Sequence, residues 1–173
     1  MAQLDLTPSQ QAMVKTLQEH GKAEFHDLDL DATLATMTEH PYLFFSPTLA
    51  GGEGREGVRA FYRGMMEQLP QDFQVTPVTD TIGSNRIVRE LIVTFTHSVA
   101  MDWLLPGIAP TGKRVAMPLI IIFTFQGEKV ESERLYWDQA SMLMQLGLLA
   151  PDRLPITGTQ SVQKLQQLIK AGV

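Results

Sequence analysis

Up to Leu69 the apolar residues recur at helical spacing, and from Phe73 onward they fall into extended runs separated by turn residues. Thr7-Pro8-Ser9-Gln10 reads as a helix start, with Thr7 as cap, Pro8 in the first turn and Gln10 able to bond back to the cap. Met13, Val14 and Leu17 then share one face, and Gly21 is the expected stop. Phe25, Leu28, Ala32 and Ala35 predict a second helix running towards Met37. Residues 42–45 form a short apolar strand between Pro41 and Pro47, followed by a glycine-rich turn. The strongest helical pattern comes next: Val58, Phe61, Tyr62, Met65 and Leu69 line one face, and Pro70 ends it.

The second half predicts four strands, over 73–82, 86–99, 115–125 and 130–137, with Gly83-Ser84-Asn85 and Gly127-Glu128 as turns. Such short links favour antiparallel neighbours, because a parallel pair needs a long crossover. Residues 139–146 return to helix before Gly147, and Val162, Leu165, Leu168 and Ile169 mark a final amphipathic stretch. This order argues for an α+β fold, with a main domain over residues 1–150 and a helical extension over 151–173.

Composition narrows the functional classes. A chain of 173 residues, 44% apolar and 19% charged, fits one globular domain with a sizeable core. The net charge of −5 and the lack of any basic block argue against nucleic acid as a partner. With no cysteine, thiolate nucleophiles and thiolate zinc sites are excluded. The first residues lack a signal-peptide pattern, and the longest apolar run, 117–125, is far too short to span a bilayer, so no membrane partner and a cytoplasmic location are expected.

Several motifs fail on context. Gly52, Gly54 and Gly57, with Asp72 downstream, fit a dinucleotide fingerprint, but that motif needs a parallel βαβ unit. Gly107 to Lys113 matches most of a phosphate loop until Arg114 stands where serine or threonine is required. Asp27, Asp29 and Asp31 lack the glycine and the glutamate of a calcium loop. The histidines, His20, His26, His40 and His97, include no i, i+4 pair, so no metal is expected unless tertiary structure assembles its ligands.

What remains are ionisable groups set among apolar strand residues. Glu90 shares a side with Val88 and Ile92, and His97 shares the other with Leu91, Val93 and Phe95. Asp102-Trp103 offers a carboxylate beside an aromatic as a rim for an apolar ligand. Glu131, Glu133, Leu135 and Trp137 alternate with Arg134, Tyr136 and Asp138, and this strand alone does not reveal its inner face. Asp138, where strand yields to helix, is either an ionised N-cap or a cavity acid whose pKa burial raises.

Glu133-Arg134-Leu135-Tyr136-Trp137-Asp138 followed by Gln145-Leu146-Gly147 resembles the end of SnoaL-like polyketide cyclases, within the nuclear transport factor two-like superfamily that also holds ketosteroid isomerase. Phe95-Thr96-His97, Asp102 to Gly107, Pro110-Thr111-Gly112, Asp31-Ala32-Thr33 and Gly51-Gly52 extend the likeness over about residues 25–150. The resemblance implies a cone-shaped half-barrel, in which a curved antiparallel sheet wraps helices around an apolar pocket, and acid–base chemistry without metal or organic cofactor.

By that likeness Asp138 is the acid/base, taking a proton α to the carbonyl of a small hydrophobic compound, and His97 donates to the enolate oxygen. Tyr62, Trp103 and Tyr136 would shape the cavity, and Glu90 or Glu133 would orient His97 or supply a second carboxylate. A carrier or sensor of a hydrophobic molecule, or a dimerisation module, is the competing expectation. A raised Asp138 pKa would favour the enzyme; a lowered one in a capped helix would favour binding or structure. A homodimer through the sheet face is also expected, since a one-sided apolar sheet needs a cover.

Overall fold

The computed structural model describes residues 6–150, 152 and 154–171. Its first helix, α1 (Pro8–Lys22), starts at the expected capping box, with reciprocal bonds between Thr7 and Gln10. Gly21 does not stop it. The chain runs on into a π-helical turn over Ala23–Asp27, because Ala23 and Glu24 bury beyond the glycine, and packing outweighs the ~1 kcal/mol propensity penalty of one glycine. The turn ends at Leu28, which is left-handed at φ 50°. Asp29 then caps a short separate helix, α2 (Leu30–Ala35), so the single second helix expected from spacing is split in two.

The first strand, β1 (Met37–Phe45), starts earlier than its apolar core and passes through Pro41. Its pairing is irregular between Met37 and Tyr42, where a missing N–H costs nothing. The glycine-rich segment expected as a turn holds an edge strand, β2 (Ala50–Glu53), antiparallel to β1. A Cβ at Gly51 would lie 2.1 Å from the Leu43 carbonyl oxygen, and one at Gly52 would lie 2.4 Å from that of Gly57. These glycines let the edge strand fold closely into α3 (Gly54–Glu67), which accounts for their spacing without a nucleotide.

The remaining strands are β3 (Gln74–Ile82), β4 (Arg86–Thr96), β5 (Arg114–Gln126) and β6 (Lys129–Trp137), an antiparallel meander as their short links require. The full six-stranded sheet runs β2-β1-β6-β5-β4-β3, and its one parallel pair is β1 with β6. The fold is thus the expected α+β cone, a curved open sheet whose concave face is closed by α1, α3 and the Met101–Leu105 loop.

Two helices follow the meander. Asp138 caps α4 (Gln139–Gln145), and the amide of Gln145 bonds both backbone groups of Ala116, at 2.9 and 3.1 Å, where β6 has already ended. Gly147, left-handed at φ 72°, turns the chain away. The last helix, α5 (Gln160–Lys170), packs against β5 and buries Val162.

Candidate active site

Register across the sheet builds the floor of a cavity. Phe45, Leu135, Ile121 and Arg89 form one row across β1, β6, β5 and β4, and Leu43, Glu133 and Phe123 form the next. All seven line a hollow of about 390 Å³. Leu17, Tyr62, Met65 and Trp103 close it from the helical side and the 101–105 loop, and the exposed Gln18 and His26 border its opening. Trp103 packs edge-on against Phe45 and Phe73. Its loop is held to the end of α3 by reciprocal bonds between Gln68 and Asp102. The walls are overwhelmingly apolar, as expected of a site for a hydrophobic small molecule.

Apart from Arg89 in the floor and Gln18 and His26 at the opening, the polar lining is a buried cluster of His20, Glu24, Tyr62 and Glu133. His20 comes from the last turn of α1, Glu24 from the π-helical turn, Tyr62 from α3 and Glu133 from β6. The Tyr62 hydroxyl donates to Glu133 Oε1 at 2.6 Å. His20 Nε2 lies 3.0 Å from the same oxygen, 3.1 Å from the Tyr62 oxygen and 3.5 Å from Glu24 Oε2. On its other side, His20 Nδ1 is 2.6 Å from Thr36 Oγ1, which donates its own proton to the Thr33 carbonyl.

Proton bookkeeping follows from these contacts. With the Thr36 proton committed to Thr33, Nδ1 must carry the hydrogen that Thr36 accepts. Nε2 then faces carboxylate oxygens and needs a proton of its own, which makes the ring an imidazolium. Burial pushes the His20 pKa down, but the charge and hydrogen bond of Glu133, with the charge of Glu24, outweigh it and raise the value overall. Burial, followed by the Glu133 charge, lifts the Glu24 pKa to about 8 against the opposing pull of His20. The Tyr62 phenol, pushed far up by burial and then by both carboxylates, keeps its proton. Burial and the neighbouring Glu133 charge thus favour the protonated form of Glu24, which faces the cavity, while the carboxylates beside His20 favour its protonated form.

Of the residues named from sequence, Tyr62, Trp103 and Glu133 come together around the cavity, and β6 turns Glu133, Leu135 and Trp137 inward. Asp138, His97, Glu90 and Tyr136 are not among its lining. Asp138 is exposed and caps α4 by bonds to the Ser141 amide at 3.0 Å and hydroxyl at 2.6 Å. Those bonds, the hydroxyl's first, hold its pKa below the usual aspartate value, so the rise expected of a buried proton shuttle is replaced by the signature of a cap. His97 is buried but serves the β4–β5 connection. Its Nδ1 accepts from the Thr111 amide at 3.3 Å, and its backbone bonds Gly112 and Lys113. Burial lowers its pKa and keeps it neutral. Glu90 lies on the outer face with Val88 and Ile92, and Tyr136 stands half-exposed on that face too.

His20 and Glu24 were missed by the sequence reading. The signal was present as a histidine and a glutamate at i, i+4, but a helix expected to stop at Gly21 separates them. Thr36 carries no sequence signal, since it meets His20 only through the tertiary fold.

Comparisons with known proteins agree with this architecture. Among curated proteins none matches the chain. A protein described as a SnoaL-like polyketide cyclase from Jannaschia sp. CCS1 is 22% identical, with a TM-score of 0.70 over 86% of this chain and 100% of its own. TsrD from Streptomyces laurentii is 22% identical, with a TM-score of 0.63 over 84% and 100% respectively. SalBIII, an epoxide hydrolase/cyclase-like enzyme of pyran ring formation in salinomycin, is 18% identical, with a TM-score of 0.58 over 76% and 95%. At these identities the likeness is one of fold. The family model for SnoaL-like polyketide cyclase matches residues 17–146, three quarters of the sequence, and the chain belongs to that family.

Proposed function

We propose that the protein is a cyclase- or isomerase-type enzyme that moves protons on a hydrophobic carbonyl compound, with His20, Glu24, Tyr62 and Glu133 as its chemistry. The single observation that carries this reading is the pair of carboxyl groups, Glu24 and Glu133, buried side by side at an apolar cavity, where burial raises the pKa of Glu24. Glu24 neither donates nor accepts a hydrogen bond among the described residues, so its proton is free to meet a substrate oxygen. Glu133 takes both of its bonds on Oε1, which leaves Oε2 to receive a proton from the carbon α to the carbonyl. His20 and Tyr62 hold that carboxylate in place and share its charge. A buried carboxylic acid with a raised pKa, set beside a second carboxyl group, suits acid–base catalysis near neutral pH.

Family membership supports a cyclase-type role, and the name of SalBIII points the same way. The low Asp138 pKa and its cap geometry count toward binding or structure at that position and take Asp138 out of the chemistry, so the enzyme reading rests on the buried Glu24 and Glu133 pair instead. The ligand is a small hydrophobic molecule, in keeping with the lining. A homodimer through the outer sheet face belongs to the same proposal: Ile120 and Tyr136, neighbours in register, are 43% and 39% exposed there. Light scattering that finds only monomer at high concentration would remove it.

Hydrogen exchange into deuterated water tests the chemistry directly. Apolar ketones and β-dicarbonyl compounds that bind the protein should gain deuterium at the α carbon faster than in buffer, and Glu133→Gln should abolish the gain. Tight binding without exchange would make the protein a carrier instead.

A further inference from the structure

We propose that His20, Glu24 and Glu133 form a binding site for one divalent transition-metal ion, zinc in the first place, with an open coordination position facing the cavity. The donor set is one imidazole nitrogen and two carboxylate oxygens, a combination typical of zinc sites that keep one position free. Nε2 of His20 lies 3.0 Å from Glu133 Oε1 and 3.5 Å from Glu24 Oε2, and all three donor atoms fall within 4.8 Å of one another. Tetrahedral bonds of 2.0–2.2 Å put donors about 3.3–3.6 Å apart, so a small ion fits with little movement.

Three further features point to a ligand rather than to a chance grouping. Glu24 is 7% exposed, accepts no hydrogen bond among the described residues and is aimed at the cluster. The Nδ1 hydrogen of His20 is held by Thr36, which in turn bonds the Thr33 carbonyl; this outer relay turns Nε2 toward the centre as metal-binding histidines require. Among the described residues, the only lysine or arginine lining the cavity is Arg89, and it donates to Asp80 through two bonds of 2.6 and 2.7 Å rather than to the cluster's carboxylates.

Binding is a balanced exchange. One divalent ion enters, the protons on His20 Nε2 and Glu24 leave, and a neutral imidazole with two carboxylates then cancels the charge of the ion. The other polar group facing these atoms is the Tyr62 hydroxyl, which keeps its proton. With Glu24 and Glu133 both committed to the ion, the loaded site has lost the acid and the base of the chemistry proposed above, so the same ion would inhibit it. The site itself does not depend on that chemistry, because it is measured without substrate.

Calorimetric titration of zinc into the chelator-treated full chain at pH 7.5 tests the proposal. The expected result is one ion per chain, with about two protons released as read from the buffer dependence of the heat. Cobalt should give the intense visible absorption of a tetrahedral site. Glu24→Gln and Glu133→Gln, shown folded by circular dichroism, should each weaken binding about tenfold or more, whereas His26→Ala at the exposed mouth should leave it unchanged. Absence of zinc binding, or binding that survives both glutamine variants and is lost in His26→Ala, would overturn the site. Either failure would leave the exchange experiment above unaffected.

Discussion

The hydroxyl of Thr36, 2.6 Å from His20 Nδ1, decides which nitrogen of that histidine faces the cavity. Because Thr36 gives its own hydrogen to the Thr33 carbonyl, it can only accept from the ring. Thr36→Val removes the acceptor and leaves a buried N–H without a partner, at a cost of about 1–3 kcal/mol. Thermal or urea unfolding should show that loss. Turnover on any substrate found by deuterium exchange should fall about tenfold or more, since Nδ1 and Nε2 would then compete for the single inward orientation. Unchanged turnover would remove the relay from the mechanism.

In the proposed chemistry Glu24 serves as an acid only while it holds its proton. With its pKa near 8, activity should fall as pH rises through that value, giving an alkaline limb to the rate profile. Glu24→Gln keeps the shape but has no transferable proton, and should reduce turnover by about 10²–10⁴. A variant with the parent rate and the parent alkaline limb would place the acid elsewhere.

Stability should decline with pH over the same interval. The folded pKa of Glu24, about 8, lies above its ordinary value of 4.5, so between the two the native state binds more protons than the unfolded chain. Stability is therefore highest below about pH 4.5 as far as this group is concerned, and is lost as pH climbs to 8, by up to about 1.4 kcal/mol per unit. The raised pKa of His20 acts in the same direction above pH 6.5. Urea midpoints at pH 5, 6.5 and 8 should fall in that order, and Glu24→Gln should flatten the trend.

Asp138 behaves as a cap. Asp138→Asn should leave both fold and turnover close to the parent, because asparagine caps as well as aspartate does. Asp138→Ala should cost about 1 kcal/mol in stability by freeing the Ser141 amide and hydroxyl. Loss of activity in a fully folded Asp138→Asn protein would return the residue to the chemistry.

Cavity volume should govern ligand binding independently of the polar cluster. Ile121 lies mid-floor between Leu135 and Arg89, so Ile121→Phe fills part of the hollow while leaving the His20, Glu24, Tyr62 and Glu133 side chains unchanged in chemistry. Binding of an apolar fluorescent probe should weaken, with a stability change within about 1–3 kcal/mol of overpacking. Undiminished probe binding would mean that the ligand sits outside the cone.

Local chemistry alone settled much of this molecule. Thr7-Pro8-Ser9-Gln10 dictates its capping box, the apolar spacing from Val58 to Met65 dictates α3, and the short turns at Gly83 and Gly127 force an antiparallel meander. Each depends on residues a few positions apart, whose bonds and sterics do not wait for the rest of the chain. The family likeness in the last strand and helix was legible for the same reason; of the residues it nominated, Tyr62, Trp103 and Glu133 line the cavity, whereas Tyr136, Glu90, His97 and Asp138 do not.

The buried polar cluster was decided by tertiary structure. His20 and Glu24 lie on one side of a helix that continues past Gly21 only because packing holds it there, and Glu133 reaches them through a parallel pairing of β1 with β6 that no local pattern announces. Thr36 joins them across a turn. Asp138 looked reactive by position, yet two bonds to Ser141 committed it to a helix end. Proton affinity depends on burial and on charges within a few ångströms, and those neighbours are set by the folded chain rather than by the order of its residues.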